Sequence, residues 1–198
     1  MFINNPTLYY FTYWLGLQPA LTQTSFAESQ CLAKYARNKK CLVEIGVWHG
    51  VNTKKLRQVM GNEGIIYAID PFEPGKFGLS WQKTIAHAEA AKAKNGKIVW
   101  LEDFSDKAIE QFKQIETQPI DFMFIDGDHS YEGIKTDWTL WSPLVKTGGI
   151  VALHDSHSYE GRNLGHVGAQ QYTQEVILQD ERFKLIEECD SLTVVERV

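Results

Sequence analysis

"FKLIEECDSLTVVERV", residues 183–198, is the stretch that decides the fold. Two strand-like runs, Phe183–Glu188 and Leu192–Arg197, are separated only by Cys189, Asp190 and Ser191. So short a connection joins antiparallel strands, because a parallel pair needs a crossover of a dozen or more residues. Upstream the pattern is different. Short apolar runs at Cys41–Ile45, Ile65–Ile69, Ile98–Leu101, Phe122–Ile125 and Ile150–Leu153 are bounded by Gly, Pro or acidic residues. Between them lie stretches at helical spacing, among them Ala108/Ile109/Phe112/Ile115 and Ile134/Trp138/Trp141/Leu144. This alternation implies βαβ units and a sheet covered on both faces. The spacing therefore predicts an α/β fold: a doubly wound, mostly parallel seven-stranded sheet with a C-terminal antiparallel hairpin.

A chain of 198 residues with 43% hydrophobic content fills one core, so a single domain over 1–198 is expected, with an N-terminal arm or lid (1–40) and a core (41–198). The formal charge of -5 argues against a nucleic-acid partner, which needs concentrated Lys and Arg, and favours a small molecule. Cys31, Cys41 and Cys189 form neither a CxxC pair nor an even framework and read as reduced thiols of a cytoplasmic protein. From Met1 to Ala27 no residue is charged, and Phe2, Leu8, Tyr9, Tyr10, Phe11, Tyr13, Trp14, Leu15 and Leu17 crowd together. Pro6 and Pro19 bracket an apolar stretch shorter than the roughly 20 residues of a membrane span, and a basic leader region is missing, so no membrane span is expected. An arm of this kind suits a lid or a homodimer contact.

In open α/β sheets ligands bind outside the carboxyl ends of the strands. After the first strand, "VEIGVWHGVNT" places Glu44 at the strand end and Gly46 and Gly50 around a turn into a helix from about Asn52. Glycines there let backbone approach a ligand, and Glu44 suits a cationic group; alternatively they only shape a βα turn. The missing GxGxxG disfavours a nicotinamide dehydrogenase. Asp70, ending "IYAID", is placed to accept from a ribose diol, or is a turn residue before Pro71. In "EDFSD", Asp103 and Ser105 suit a purine edge and Phe104 its face, while Ser105 or Asp106 equally suits a helix N-cap. "IDGDHSYEG" then sets Asp126, Asp128 and His129 after the fourth strand, and "LHDS" sets His154 and Asp155 after the fifth.

"VEIGVWHG", "AIDPF", "EDFSD", "FIDGDHSYEG" and "TGGIVALHD", in this order with the terminal hairpin, resemble the class I S-adenosylmethionine-dependent methyltransferases, most closely methyltransferase family 24, over about residues 41–198. The resemblance implies a Rossmann-like fold and S-adenosyl-L-methionine as cofactor. Glu44 and the Gly46–Gly50 loop, walled by Trp48, would hold its methionine end. Asp70 would hold the ribose, and Asp103, Phe104 and Ser105 the adenine. It further implies a small-molecule acceptor methylated on a hydroxyl; nitrogen or carbon as acceptor atom, or a cofactor-binding protein without turnover, are the alternatives.

Loss of the hydroxyl proton needs a base or a metal. In metal-dependent relatives the ligands follow strands four and five, which carries over to Asp126 and Asp155, with His154 as third donor and Mg or Mn as the ion. His154 departs from that pattern, since Mg²⁺ prefers oxygen and Mn²⁺ tolerates nitrogen. The competing reading makes Asp126 an orienting group and His129 a metal-free general base. Asp128 and Ser130 read as helix caps, and His157, Tyr159, Arg162 and His166 as positional candidates for the acceptor pocket.

Overall fold

A computed structural model describes residues 6–75 and 78–198; Phe2 of the predicted arm and residues 76 and 77 of the 71–80 loop lie outside the described residues. Five strands, β1 (Cys41–Ile45), β2 (Ile65–Ile69), β3 (Lys97–Leu101), β4 (Ile120–Ile125) and β5 (Val145–Leu153), pair in parallel. β6 (Phe183–Cys189) and β7 (Leu192–Arg197) form the hairpin, and β7 runs antiparallel to both β5 and β6. The order is β3-β2-β1-β4-β5-β7-β6. The chain therefore reverses its direction of travel across the sheet between β1 and β4, and such a switch point opens a crevice at the strand ends.

The central strands β1, β2 and β4 and the end of β5 are legible because they are buried on both faces and read as continuous apolar runs. Three begin earlier than the apolar runs do, β3 by one residue at Lys97. β4 includes Ile120 and Asp121, and β5 starts at Val145, with a register shift between the Ile120/Val145 pair and the Phe122/Ile150 pair. Lys146–Gly149 lie in that register shift, between the two pairs, and no apolar run marks the strand there. The hairpin turn narrows to Asp190 and Ser191, with Asp190 at φ 50°, a conformation Asp tolerates.

The helices are α1 (Pro6–Trp14), α2 (Phe26–Ala36), α3 (Val51–Val59), α4 (Trp81–Ala90), α5 (Ser105–Ile115), α6 (Tyr131–Trp141) and α7 (Gly168–Glu175). Period-two alternation sends Val43, Ile45, Met123, Ile125, Val151 and Leu153 to one face, where Ala108, Ile109 and Phe112 of α5 and Trp138 and Trp141 of α6 cover them. Leu42, Phe122, Phe124, Ile150 and Ala152 face the other way, against Cys31, Leu32 and Ala36 of α2 and Leu56 of α3. By the same parity Glu44, Asp126 and His154 fall on the α2–α3 side.

The arm is docked rather than free. Tyr9 and Tyr13 of α1 are buried against Ile85 of α4, and the Tyr13 hydroxyl donates to Glu89 Oε1 at 2.9 Å. Glu89 also pairs with Lys54 and Lys92. These partners, outweighing burial, hold its pKa down at about 2.

Candidate functional site

The site is built by ladder bonds that continue past the strand ends. Gly46 N–H donates to Ile69 O, Asp126 N–H to Ile45 O and His154 N–H to Ile125 O, at 2.9, 2.8 and 3.0 Å. These bonds set Gly46, Asp126 and His154 side by side along one edge. Gly46 is forced to be glycine: its φ is +86°, and an added Cβ would sit 2.0 Å from Asp126 O. Gly50, at φ +70°, lies against Ala86 O in the same way and opens α3.

Asp70 ties the first two loops together. Its Oδ2 accepts from Val47 N–H (3.0 Å) and Trp48 N–H (2.9 Å), and its Oδ1 from Phe72 N–H (2.8 Å). Oδ2 also accepts from Gln82 Nε2 at 3.3 Å, and Asp70 lines a cavity of about 630 Å³ together with Gly46, Trp48, Asp103, Phe104, Ser105 and Asp126. Glu44 and Gly50 do not line this cavity. Glu44 is fully buried beneath the glycine loop, and neither of its carboxyl oxygens has a hydrogen-bond partner among the described residues. Burial pushes its pKa up to about 8, so it is largely neutral at pH 7.

At the far end of the cavity Phe104, not Ser105 or Asp106, takes the cap position of α5, with Asp103 Oδ1 accepting from Phe104 N–H at 2.9 Å. Ser105 is the first helical residue and donates its hydroxyl to Asp137 of α6. Asp137 lines the same cavity, and burial raises its pKa to about 6. Nothing in the sequence marked Asp137, which looks like an ordinary polar position beside Trp138. His49 also escaped notice. Its Nδ1 accepts from Leu21 N–H at 3.1 Å and its ring stacks between Tyr9 and Trp48, so it joins the arm to the glycine loop. Burial lowers its pKa to about 4 and keeps it neutral.

A second cavity of about 280 Å³ shares Trp48, Asp126 and Gly127 with the first and is closed by Leu21, Thr22, Gln23 and His129. The arm therefore contributes its wall. His157, Tyr159, Arg162 and His166 line neither cavity. That loop is drawn toward the hairpin and α7: His157 Nδ1 lies 2.9 Å from Asp190 O, and Ser158 hydrogen-bonds Gln170 and Leu164.

Where the two cavities meet, Asp126 Oδ1 lies 2.8 Å from His154 Nδ1 and 3.6 Å from His129 Nε2. His129 Nδ1 lies 3.6 Å from Asp155 Oδ2, and Arg162 Nη2 is 2.9 Å from Asp155 Oδ1. Behind them, His154 Nε2 is 3.6 Å from Glu28 Oε2 of α2. Burial alone would lower the His154 pKa, but the flanking Asp126 and Glu28 carboxylates raise it to about 10. Asp128 and Ser130 do cap α6: Asp128 Oδ1 accepts from Ser130 N–H and Ser130 Oγ from Gly133 N–H.

Donor atoms of Asp126, His129 and His154 lie within 4.8 Å of one another, a spacing that a metal ion can bridge. The chemistry of the set is against a hard ion. Two of the three donors are nitrogens, and Arg162 Nη2, 2.9 Å from Asp155 Oδ1, sets a cation against the remaining carboxylate; His154 Nδ1, though 2.8 Å from Asp126 Oδ1, has no hydrogen-bond partner among the described residues. The residues present do not fit the oxygen-rich metal centre that the motif resemblance implies.

A family model described as a methyltransferase domain matches residues 43–156. The probable caffeoyl-CoA O-methyltransferase 2 of Dictyostelium discoideum is 32% identical over 120 residues, 59% of this chain and 47% of that protein. Tapetum-specific methyltransferase 1 of Arabidopsis thaliana is 28% identical over 124 residues, 60% of this chain and 48% of that protein. The chain spans no more than about half the length of the curated relatives it matches. Among solved structures, the O-methyltransferase from Bacillus cereus in complex with SAH superposes with a TM-score of 0.64 at 14% identity, covering 95% of this chain and 87% of that one. The O-methyltransferase TomG from Streptomyces achromogenes, in complex with SAM, gives 0.66 at 15% identity, covering 97% and 88%. At such identities the likeness is one of fold. The family match extends over more than half of the sequence and takes in Glu44, Asp70, Asp126 and Asp155, so the chain belongs to the methyltransferase-domain family.

Proposed function

We propose that this protein transfers a methyl group from S-adenosylmethionine to a hydroxyl of a small molecule. The observation that carries the reading is the meeting of two cavities at Asp126: a large one at the β1/β4 switch point and a small one beside it that His129 faces. In this reading Phe104, Ser105 and Asp137 hold the adenine, Asp70 the ribose hydroxyls, and the Gly46–Gly50 loop with Trp48 the methionine end. Glu44, buried without a partner, is an acceptor for the ammonium group, which would restore its charge.

Bound S-adenosylmethionine supplies an electrophilic methyl carbon, so the C–O bond forms as the C–S bond breaks and sulfur keeps the electron pair. The chain's own residues align and deprotonate the acceptor. Trp48, Gln23 and Thr22 confine it in the small cavity, and alignment is a proximity effect. His129 Nε2 takes the hydroxyl proton, and Asp126 and Asp155, 3.6 Å from its two ring nitrogens, stabilise the imidazolium that results.

No described helix is long and apolar enough to cross a membrane. Three free thiols support a cytoplasmic setting, and the exposed Phe11, Trp14, Leu15 and Leu17 of the arm support a homodimer, which sedimentation analysis tests. The function itself is tested by incubating the protein with methyl-labelled S-adenosylmethionine and a panel of catechols, phenols and sugars. Label transfer to a hydroxyl, abolished by His129→Ala, is expected. Label on nitrogen or carbon would move the acceptor atom, and transfer undiminished in His129→Ala would remove the base.

A further inference from the structure

Trp48 stands where three cavities meet. It lines the large cavity at the switch point, the small one that His129 faces, and a third of about 210 Å³ between α1, the glycine loop and α4. The rings of Tyr9, Trp48, His49 and Trp81 wall this third chamber, and Leu21 is common to it and the small cavity. The methyl-transfer chemistry leaves it unused. Its walls are fixed by contacts of their own: Tyr9 and Trp48 both stack on His49, at 5.5 and 4.8 Å between ring centroids, and Tyr10 packs on Trp81 at 4.3 Å. Of the polar groups that line it, the Tyr9 hydroxyl donates to Pro19 O, His49 Nδ1 accepts from Leu21 N–H and Gln82 Nε2 donates to Asp70, so each already has a partner within the protein. Trp48 holds φ at +49°, a strained conformation for a bulky residue, and its N–H is pinned by Asp70 Oδ2.

A dry apolar cavity of roughly 150 Å³ holds a benzene molecule, so the ring-walled chamber has room for one six-membered ring. Charge narrows the occupant further. Among the described residues no Lys or Arg lines this chamber or the small cavity, Asp126 lines the latter, and the arm from Met1 to Ala27 has no charged side chain. His49 adds no charge, because burial holds its pKa down at about 4. Val51 and Asn52 bring the start of α3 to the small cavity, but in the methyl-transfer reading its free N–H groups serve the methionine carboxylate. A carboxylate or phosphate on the acceptor would therefore lose its water without gaining a cation. We propose that the ring-walled chamber is the distal half of the acceptor site, and that the acceptor is an uncharged phenol carrying a second, apolar ring. Its hydroxylated ring occupies the small cavity beside His129, and the apolar ring passes Leu21 and Trp48 to lie among Tyr9, His49 and Trp81. The inference rests on the methyl-transfer reading for the chemistry at the hydroxyl and adds a substrate class to it: aromatic and uncharged, neither a sugar nor an acid. It also gives the arm a function, since Tyr9 of α1 and Leu21 form one side of the chamber.

The test is calorimetric titration of the full-length protein, with and without S-adenosylhomocysteine. The probes are 4-(2-phenylethyl)phenol, 4-ethylphenol as its one-ring part, and the two-ring phenol bearing a carboxylate on its distal ring. The two-ring phenol is expected to bind about tenfold or more tighter than 4-ethylphenol, as burial of a further ring implies, and the carboxylated compound about tenfold or more weaker than its uncharged parent. Two variants report on the chamber itself: Trp81→Ala removes one wall, and Ile85→Phe fills the space from α4. Each should bring the two-ring phenol down toward the affinity of 4-ethylphenol and leave 4-ethylphenol itself unchanged. Equal affinity for the one-ring and two-ring phenols, or undiminished binding of the carboxylate, would overturn the proposal. So would a two-ring advantage kept in either folded variant, or equal weakening of both phenols there. If one variant fails to fold, the other and the parent titrations still decide. If S-adenosylhomocysteine fails to bind while the phenols behave as expected, the methyl-transfer reading falls and the chamber stands as a site for aromatic rings.

Discussion

Glu44 shows how one residue is exposed to opposing demands. Its folded pKa of about 8 lies above the ordinary 4.5, so ionisation costs the cofactor-free fold stability progressively as pH rises from 4.5 through 8. Glu44→Gln should therefore raise the melting temperature of the free protein at pH 8 and weaken S-adenosylmethionine binding; a variant that melts lower at that pH would contradict the buried, unpartnered carboxyl. His154 has the same sign by another route. Its pKa is raised from 6.5 to about 10, so its contribution is complete below 6.5 and lost as pH climbs toward 10. Glu28 has the opposite sign: held down at about 2, its stabilisation is present above 4.5 and disappears as pH falls from there toward 2. Thermal melts of Glu28→Gln against the parent protein across the acid range should converge at low pH. Curves that stay parallel would mean that Glu28 carries no coupled charge. At Gly46, substitution by Ala places a Cβ 2.0 Å from a backbone oxygen, so Gly46→Ala should lose cofactor binding and unfold at lower temperature.

At the level of elements, α6 fixes the start of α5. Trp141 is fully buried against Phe112, and its indole N–H donates to Ser105 O at 3.2 Å, while Asp137 one turn earlier accepts from the Ser105 hydroxyl. Trp141→Ala should cost about 3–5 kcal/mol in denaturant unfolding, as large aromatic truncations in cores do. A loss below about 1 kcal/mol would show that the site collapses around the gap. The same elements show what the sequence makes legible. Strands and their order along the chain follow from apolar runs, and Gly46, Asp70 and Asp126 follow from their places at strand ends. The early starts of β4 and β5 carry no hydrophobic signal and were missed. Glu28, His49 and Asp137 carry no such signal for a different reason: their roles arise from pairings with residues distant in the sequence, 191 and 154, 21 and 105, that no local pattern encodes. The loop after β5 holds Arg162 against Asp155, but its other bonds run to the hairpin and α7, and the wall of the small cavity comes from the arm instead.

Across the whole molecule, the sheet order brings the loops after all five parallel strands to one edge, and the N-terminal segment closes that edge from the side. Polar joints hold it there, among them Leu21 to His49, Thr24 to Asn52 at 2.7 Å, Ser25 to Asp190 at 2.6 Å and Glu28 to Ser191. In the proposed function the larger cavity is an S-adenosylmethionine site whose loops Asp70 holds in place. Calorimetric titration with S-adenosylmethionine of the parent protein and of Asp70→Asn tests it most directly. One saturable site per chain is predicted, weakened about tenfold or more in the variant, since hydrogen bonds to a charged group contribute about 1.5–3 kcal/mol. Absence of saturable binding by the parent protein, or equal affinity in Asp70→Asn, would contradict it.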